Sequence, residues 1–176
     1  LNMKNALILT WEKFQDHEVI YPYYALKENG FSVTLAGGPN LGRIFGILGA
    51  HINCDILMGD LDPKSINDYD LLVIPGGVKA LEKLRLEDNA VQFAKNWMVA
   101  DKMTFSICNG AQLLITADVI KGRTVSGYYS IEPDIRNAGA TYSREKVVVD
   151  KNLVSCPHYD FMGEWIKEGI SVYNDR

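Results

Sequence analysis

One cysteine of this chain lies where a predicted strand meets a predicted helix. Residues 104–114 read TFSICNGAQLL, so apolar residues typical of a strand precede Cys108 and a helical pattern follows it. Small residues flank the cysteine, Ser106 before it and Gly110 after it, as a nucleophile elbow requires. Such a turn strains the central residue and projects its side chain. We therefore predict covalent or redox chemistry at Cys108, with the free N–H groups of the helix start favouring the thiolate.

The composition restricts the classes of protein to which the chain can belong. Its 176 residues, 47% hydrophobic and 23% charged, predict a single globular domain over residues 1–176. A net charge of −4 argues against nucleic acid or an anionic membrane as the main partner. No apolar run approaches the roughly 20 residues of a spanning helix, and the start lacks the apolar core of a signal peptide. We therefore predict a cytoplasmic protein with no nucleic acid or membrane partner.

The cysteine and histidine positions indicate neither a disulfide framework nor a metal site. The three cysteines, Cys54, Cys108 and Cys156, are an odd number without paired spacing, which fits a reducing compartment. The Cys-Pro-His sequence at 156–158 is not a zinc-ligand spacing. The glycine-rich residues 37–49 lack the spacing of a dinucleotide or phosphate loop. We therefore predict no metal and no cofactor.

Alternating strand and helix patterns predict the fold. Continuous apolar runs are typical of strands buried on both faces, and helical patterns lie between them. This alternation predicts a doubly wound α/β domain of flavodoxin-like type, with a mostly parallel sheet and helices on both faces. The predicted strands are 6–10, 31–36, 70–74, 103–107 and 125–128, with a hairpin of 146–149 and 152–155. The predicted helices are 16–29, 79–100, 109–116, 131–137 and 159–170.

Glycine and proline positions add detail to this prediction. Pro22 lies inside the first helical pattern, so we expect a kink or a later start of that helix. Residues 37–49 contain five glycines and are predicted to form a loop. Ligands of parallel sheets bind beyond the carboxyl ends of the strands. Cys108 and the Gly76–Gly77 pair both follow predicted strands, so we expect them at one edge of the sheet.

Three features together resemble the ThiJ/PfpI superfamily, a branch of the class I glutamine amidotransferase-like fold. They are the cysteine elbow, residues 69–77 with the sequence YDLLVIPGG, and Glu18 in the first helix. The similarity covers nearly the whole chain. The other segments that resemble the superfamily are 19–31, 118–123 and 147–154.

The resemblance implies a role for each of these residues. Cys108 matches the nucleophilic cysteine, and Glu18 matches the acidic residue whose carboxyl group hydrogen-bonds that sulfur. Gly76 and Gly77, with the backbone N–H of Asn109, match an oxyanion site, where N–H groups stabilise developing negative charge. A carboxyl group beside a thiolate has a raised pKa, so we expect Glu18 to stay protonated and to donate a hydrogen bond or a proton.

Two departures from the superfamily pattern narrow the function. Protease-like and amidase-like members carry Cys-His-Gly, with the histidine as the proposed base. This chain has Asn109 at that position, and an amide cannot take a proton at neutral pH, so we disfavour a peptidase. The late Ser-Arg-x-Pro segment is replaced by residues 155–160, SCPHYD, which could approach the site. Tyr128, a candidate pocket residue, falls where some relatives place an active-site histidine and others a tyrosine.

His158 and His17 are the other candidate pocket residues. His158 is either the missing base or a surface or capping residue, and the sequence favours the second alternative. His17 adjoins Glu18 and could line the entrance. Cys156 could act as a resolving thiol, but the sequence does not fix its distance from Cys108.

Two functions of different kinds stay open, with a weaker third. The first is an enzyme in which Cys108 adds to a small electrophilic carbon and Glu18 moves the proton, with a glyoxalase-, deglycase-, hydratase- or amidase-like outcome. The second is a redox sensor or stress-response protein oxidised at Cys108. The third is an intracellular peptidase or an amidotransferase-like protein that uses His158 and Asp160. The superfamily also implies a small-molecule substrate and a homodimer.

Overall fold

The centre of the protein is a seven-stranded sheet. The computed structural model describes residues 3–176. Their strands are β1 (Lys4–Leu9), β2 (Phe31–Gly37), β3 (Gly42–Phe45), β4 (His51–Cys54), β5 (Ile56–Leu57), β6 (Leu71–Ile74), β7 (Thr104–Ile107), β8 (Thr124–Val125), β9 (Thr141–Tyr142), β10 (Val148–Asp150) and β11 (Leu153–Cys156). The order across the sheet is β10-β11-β7-β6-β1-β2-β5. Neighbouring strands pair in parallel, except that β10 is antiparallel to β11.

The strand order confirms the predicted doubly wound fold. β1 lies between β2 and β6, so the chain proceeds outward on one side of β1 and then crosses to the other. The apolar runs Ala6–Leu9 and Leu71–Ile74 are fully buried, as expected for strands covered on both faces. The parallel strands β1, β6 and β7 therefore end at one edge of the sheet, and the loops that follow them meet there.

Helices pack against this sheet in two groups. They are α1 (Asp16–Glu28), α2 (Val78–Leu84), α3 (Asp88–Val99), α4 (Ala111–Thr116), α5 (Glu132–Asn137) and α6 (Met162–Asn174). α1 contacts α6, whereas α4 contacts α2, α3 and α5. Among the residues from 3 to 176, no helix has the length and apolar character needed to cross a bilayer.

The loop predicted over residues 37–49 is wrong in part, because it contains a strand. β3 pairs with β4 as an antiparallel hairpin outside the main sheet. Its inward side chains, Ile44 and Ile52, are directly paired and buried. Two of the glycines allow the backbone to turn, Gly42 at the start of β3 and Gly49 between β3 and β4, with positive φ values of +78° and +96°. The hairpin is stabilised by contacts that a composition rich in glycine does not reveal.

The helix predicted over 79–100 is also corrected. It is two helices, α2 and α3, because Glu87 between them has an extended backbone with φ −84° and ψ 106°. The helix predicted from 109 begins as a 3-10 turn, Cys108–Gly110, and continues as α4. The last helix, predicted to end at 170, extends to Asn174.

Pro22 does not delay the start of the first helix. α1 begins at Asp16 and continues through Pro22 to Glu28, so the predicted later start is wrong. Proline at this position lacks the N–H that would reach the carbonyl group of Glu18, so the helix forgoes that hydrogen bond without ending there. The uninterrupted first turn matters because it carries Glu18 to the edge of the sheet where Cys108 lies.

Candidate active site

Cys108 lies at a sharp turn between β7 and α4. Its backbone has a φ of +57°, a left-handed conformation that is costly for any residue with a side chain. Gly110 is required by space, since a Cβ there would overlap the carbonyl oxygen of Ile74 at the end of β6. Ser106 is buried in β7. The backbone therefore has the elbow geometry that the small residues on either side of Cys108 predict.

Glu18 projects from the first turn of α1 into the interior and is fully buried. Its Oε1 accepts a hydrogen bond of 2.8 Å from the N–H of Gly76. Its Oε2 has no hydrogen-bond partner among residues 3–176. A Cβ at Gly76 would overlap Glu18 Oε1 and come within 2.9 Å of the Cys108 Cβ. Glycine at position 76 therefore allows the carboxyl group and the cysteine to lie side by side.

The environment of Glu18 favours its protonated form. Burial raises the pKa of this carboxyl group to about 7, although the hydrogen bond from Gly76 and the contact with Cys108 oppose the rise. Since the ordinary value is 4.5, the rise corresponds to about 3 kcal/mol in favour of the protonated form. Glu18 is therefore close to its titration midpoint at neutral pH.

The predicted stabilisation of the Cys108 thiolate is not found. Burial raises the pKa of this thiol, and the neighbouring charge of Glu18 raises it further. The backbone N–H of Asn109 opposes the rise by donating to the sulfur. The helix behind the elbow, α4, has only six residues, so its dipole is small beside the cost of burying a thiolate. Cys108 therefore rests as a thiol and needs a proton acceptor to become a nucleophile.

Asn109 contacts the sulfur through its side chain as well. The Cys108 thiol donates to Asn109 Oδ1 over 3.4 Å, and Asn109 Nδ2 donates to Gln112 Oε1 over 3.5 Å. The predicted oxyanion site needs one correction, because the N–H of Gly76 already donates to Glu18 and is not free for an oxyanion. The backbone donors that remain for the predicted oxyanion site are that of Gly77 and that of Asn109, which faces the Cys108 sulfur and would have to turn to an oxygen of the adduct.

The candidate pocket residues lie in one row of aromatic rings, which we call the aromatic row: His17, Tyr159, His158 and Tyr128. His17 stacks on Tyr159 at 4.2 Å with an interplanar angle of 11°. Tyr159 lies 4.2 Å from His158, which lies 6.4 Å from Tyr128. The N–H of Tyr128 donates to the carbonyl oxygen of Cys108. The row therefore starts on α1 beside Glu18 and ends against the elbow.

His158 caps a turn at the end of this row. Its Nδ1 accepts a hydrogen bond of 3.0 Å from the N–H of Asp160, and the side chain is 24% exposed. One ring nitrogen is thus committed to the turn that begins with Tyr159, in line with the capping alternative. Tyr159 itself was not singled out by the sequence. The only signal for it was its place in the segment 155–160, which departs from the superfamily pattern.

Asp16 is a second buried residue that sequence reasoning missed. Its carboxylate accepts the N–H groups of Leu48 and Ala50 at 2.7 Å each, and both belong to the turn of the β3–β4 hairpin. A Cβ at Gly46 would contact the same carboxylate at 2.5 Å. Asp16 therefore holds the hairpin against the start of α1, next to the aromatic row.

A cavity of about 570 Å³ lies beside α1 rather than over Cys108. Its lining includes Ile20, Tyr21 and Tyr24 of α1, with Met162 of α6. Of the predicted site residues only His17 contributes to it, so it is a separate surface from the elbow.

The predicted homodimer and the predicted cytoplasmic location stay predictions.

All three cysteines are free and buried. Over residues 3–176, no three His, Cys, Asp or Glu side chains come together as a group that could hold a metal ion. Cys54 lies in the hairpin strand β4, while Cys156 ends β11 beside the elbow strand β7. The absence of a cofactor stays a prediction.

The fold and the Cys108–Glu18 pair define a class of α/β protein with a cysteine at a nucleophile elbow. The sequence profile of the DJ-1/PfpI family matches residues 4–171. The chain therefore belongs to the DJ-1/PfpI family, as the resemblance of its motifs implies.

Known proteins of this family resemble the chain over nearly its full length. It is 39% identical over 167 residues to the deglycase TK1284 of Thermococcus kodakarensis, covering 95% of this chain and 98% of that protein. It is 37% identical over 166 residues to the deglycase PfpI of Pyrococcus furiosus, covering 94% and 97%. A crystal structure from Anabaena variabilis, of a two-domain protein with DJ-1/ThiJ/PfpI-like and ferritin-like domains, superposes with a TM-score of 0.89. That match has 31% identity and covers 96% of this chain and 47% of the other. These relatives support a cysteine-dependent enzyme.

Proposed function

We propose that the protein converts small carbonyl electrophiles, in the manner of a glyoxalase or a deglycase. The observation that carries the proposal is the strained Cys108 thiol beside the buried Glu18 carboxyl group. The pKa of that carboxyl group, about 7, suits proton transfer at neutral pH. Two relatives described above are named deglycases, which supports this class of substrate. A hydratase or an amidase is the alternative that the same assay tests.

The first step forms a bond between sulfur and the carbonyl carbon. Because burial keeps Cys108 as a thiol, the proton must leave as the sulfur attacks. Ionised Glu18 takes it on Oε2, the oxygen without a partner among the described residues. The electron pair of the carbonyl double bond moves to oxygen, where the N–H groups of Gly77 and Asn109 stabilise it. Protonated Glu18 then returns the proton to that oxygen and leaves a hemithioacetal.

The remaining steps reuse the same carboxyl group. For an α-oxoaldehyde, Glu18 removes the proton from the carbon bound to sulfur and delivers one to the neighbouring carbonyl carbon, while the hydroxyl proton passes to the neighbouring oxygen, which gives a 2-hydroxy thioester. Water then cleaves the thioester and restores the Cys108 thiol. The net reaction adds one water to the oxoaldehyde and yields a 2-hydroxy acid. For an adduct of the aldehyde with an amine, the carbon–sulfur bond forms as the carbon–nitrogen bond breaks, and Glu18 passes the thiol proton to the nitrogen of the leaving amine.

The site is less suited to peptide cleavage. An amide releases an amine, which is a poor leaving group and needs a positioned acid near the nitrogen. Asn109 occupies the position of the histidine in the protease-like branch and cannot supply that proton. His158 has one ring nitrogen engaged with the N–H of Asp160. Glu18 is thus the acid and base on which the proposed mechanism relies.

Formation of 2-hydroxy acid from methylglyoxal tests the proposal. Wild-type protein is expected to form one enantiomer of lactate, because proton delivery by Glu18 occurs from one side. Cys108→Ala is expected to form none above the uncatalysed background. Cys54→Ala is the matched control, since Cys54 is also a free, buried cysteine but lies in β4 of the hairpin. Amine release from a methylglyoxal-treated N-acetyl lysine, a simple amide and an isocyanide are assayed in parallel.

Two results would overturn the proposal. One is the absence of enantiomeric excess in wild-type product at all protein concentrations. The other is equal turnover by Cys108→Ala and wild type. Turnover of only the amide or the isocyanide would replace the glyoxalase-like reaction with the corresponding alternative.

A further inference from the structure

A second buried thiol, that of Cys156, ends the strand next to the elbow. β11 pairs in parallel with β7, and in this register Cys156 lies opposite Ile107, the residue before Cys108. Both cysteines are free, and Cys156 is fully buried. The mechanism proposed above does not use Cys156.

The Cys156 side chain lies on the face of the sheet covered by α6, and Glu18 reaches the Cys108 sulfur at the elbow from α1, which packs against α6. The Phe105 ring packs against Trp165 of α6 at 6.1 Å, so Phe105 faces α6. Side chains alternate along a strand, which places Ile107 on that face, and Cys156 shares it because registered residues of parallel strands point the same way.

The strand register also sets the distance between the two residues. Adjacent strands lie about 4.8 Å apart and successive residues about 3.3 Å apart, so the Cα atoms of Cys156 and Cys108 are roughly 6 Å apart. Disulfides join Cα atoms separated by roughly 4.4 to 6.8 Å. Burial is the main cause of the raised pKa of both thiols, and smaller contributions from Cys156 to Cys108 and from Glu18 to Cys156 agree with the short distance.

We propose that Cys156 is a resolving thiol, which forms a disulfide with Cys108 after a peroxide has oxidised Cys108. In the first step, the Cys108 sulfur attacks a peroxide oxygen while Glu18 accepts the thiol proton. The O–O bond breaks, the alcohol or water leaves with a proton, and Cys108 becomes a sulfenic acid. In the second step, the Cys156 sulfur attacks the Cys108 sulfur, and hydroxide leaves as water with the Cys156 proton. Two thiols and one peroxide give a disulfide, an alcohol or water, and one water.

The disulfide would make oxidation of the elbow reversible. A sulfenic acid that finds no thiol proceeds to a sulfinic acid, which ordinary thiol reductants do not restore. The Cys156 thiol now donates to the carbonyl oxygen of His158 over 3.3 Å. This hydrogen bond is lost when the sulfur turns toward Cys108. The disulfide would therefore release a contact that holds the backbone of His158, a member of the aromatic row.

Intact-mass measurement after treatment with one equivalent of hydrogen peroxide tests the proposal. Reduced wild-type protein is expected to lose two hydrogen atoms in mass, and peptide mapping is expected to join Cys108 to Cys156. Cys156→Ala is expected to gain one or two oxygen atoms at Cys108 instead. After a further excess of peroxide, which carries an unresolved sulfenic acid on to the sulfinic acid, a dithiol should restore at least tenfold more free Cys108 in wild type than in Cys156→Ala. Cys54→Ala is the matched control and should behave as wild type.

The outcomes that overturn the proposal are distinct from failure of the enzymatic function. Gain of oxygen at Cys108 in wild type without a disulfide would overturn it, as would equal recovery of free Cys108 in Cys156→Ala. A disulfide that includes Cys54 would do the same. These readouts require no turnover, so an inactive protein that forms the Cys108–Cys156 disulfide would refute only the carbonyl chemistry. Before peroxide, Cys156→Ala should retain wild-type circular dichroism, which excludes misfolding as the cause.

Discussion

Two carboxyl groups in the first turn of α1 are both buried but differ in how their oxygens are satisfied. Asp16 accepts backbone N–H groups on both oxygens, from Leu48 and Ala50. Glu18 accepts one, from Gly76, and its second oxygen has no hydrogen-bond partner over residues 3–176. Both oxygens of Asp16 are therefore occupied by hydrogen bonds to the hairpin turn. Glu18 is anchored by one oxygen and has the other available to a proton.

The difference teaches that burial alone does not mark a reactive carboxyl group. Backbone donors stabilise the ionised form, and a carboxylate with several of them is a structural anchor. A single donor fixes the orientation of Glu18 without offsetting the cost of burying its charge, so burial raises its pKa to about 7. The surroundings of each group, set by the loops that meet at the start of α1, therefore separate an anchor from a proton carrier.

The largest expected effect is on catalysis at Glu18. Glu18→Gln keeps the size and the acceptor for the Gly76 N–H but cannot take the thiol proton. We expect kcat/KM for methylglyoxal to fall about 1,000-fold, within the range of general acid–base catalysis. Asp16→Asn, the matched change in the other carboxyl group, should lower kcat/KM less than about tenfold. Similar losses in the two variants would contradict the distinction between anchor and proton carrier.

The next effect is on stability as a function of pH. Glu18 has a pKa of about 7 in the folded protein and about 4.5 when exposed, so the folded state binds the proton more tightly. Its contribution to stability is therefore complete below about pH 4.5 and is lost as the pH rises through 7. We expect this loss to be about 3 kcal/mol between pH 4.5 and pH 8.

Urea denaturation of wild type and Glu18→Gln across this pH range measures the effect. The free energy of unfolding of Glu18→Gln minus that of wild type should rise with pH, since glutamine does not ionise. A pH-independent difference would show that the Glu18 carboxyl group titrates in the folded protein as it does in the unfolded chain. The same series with Asp16→Asn shows whether the slope is specific to Glu18.

Asp16 should show its effect in stability at constant pH. Asp16→Ala leaves the N–H groups of Leu48 and Ala50 without their carboxylate acceptor, and we expect a loss of about 2 kcal/mol at pH 7. Asp62→Ala is the control, because Asp62 also accepts a backbone N–H, that of Lys64, but at an exposed site. If the two variants lose equal stability, the hairpin is not anchored by Asp16.

The sequence was sufficient for the features that depend on local pattern. The alternation of strands and helices and the small residues around Cys108 predict the sheet and the elbow, because both follow from side-chain size and periodicity along a short segment. The β3–β4 hairpin was missed because it depends on Asp16, some 30 residues earlier in the chain, and on the burial of Ile44 against Ile52.

The electrostatics of the site were predictable only in part. The direction of the Glu18 pKa shift agrees with the prediction, but its cause does not, because burial raises this pKa while the contact with Cys108 lowers it. The prediction of a thiolate at Cys108 is wrong because the sulfur is buried, which raises its pKa. The sequence shows where the helix starts but not how deeply the sulfur lies. The use of the Gly76 N–H by Glu18 likewise depends on how α1 meets the end of β6.

The smallest expected effect separates the two partners of the Cys108 sulfur. Asn109 Oδ1 accepts the thiol hydrogen bond but cannot remove the proton, so it positions the sulfur. Asn109→Ala should lower kcat about fivefold, the equivalent of about 1 kcal/mol for one hydrogen bond, with KM and the pH profile unchanged. Gln112→Ala, which removes the partner of Asn109 Nδ2, should cost less. If Asn109→Ala lowers kcat as much as Glu18→Gln does, or shifts the pH profile, the thiol proton leaves toward the Asn109 side chain. The unpartnered oxygen of Glu18 is then not its acceptor.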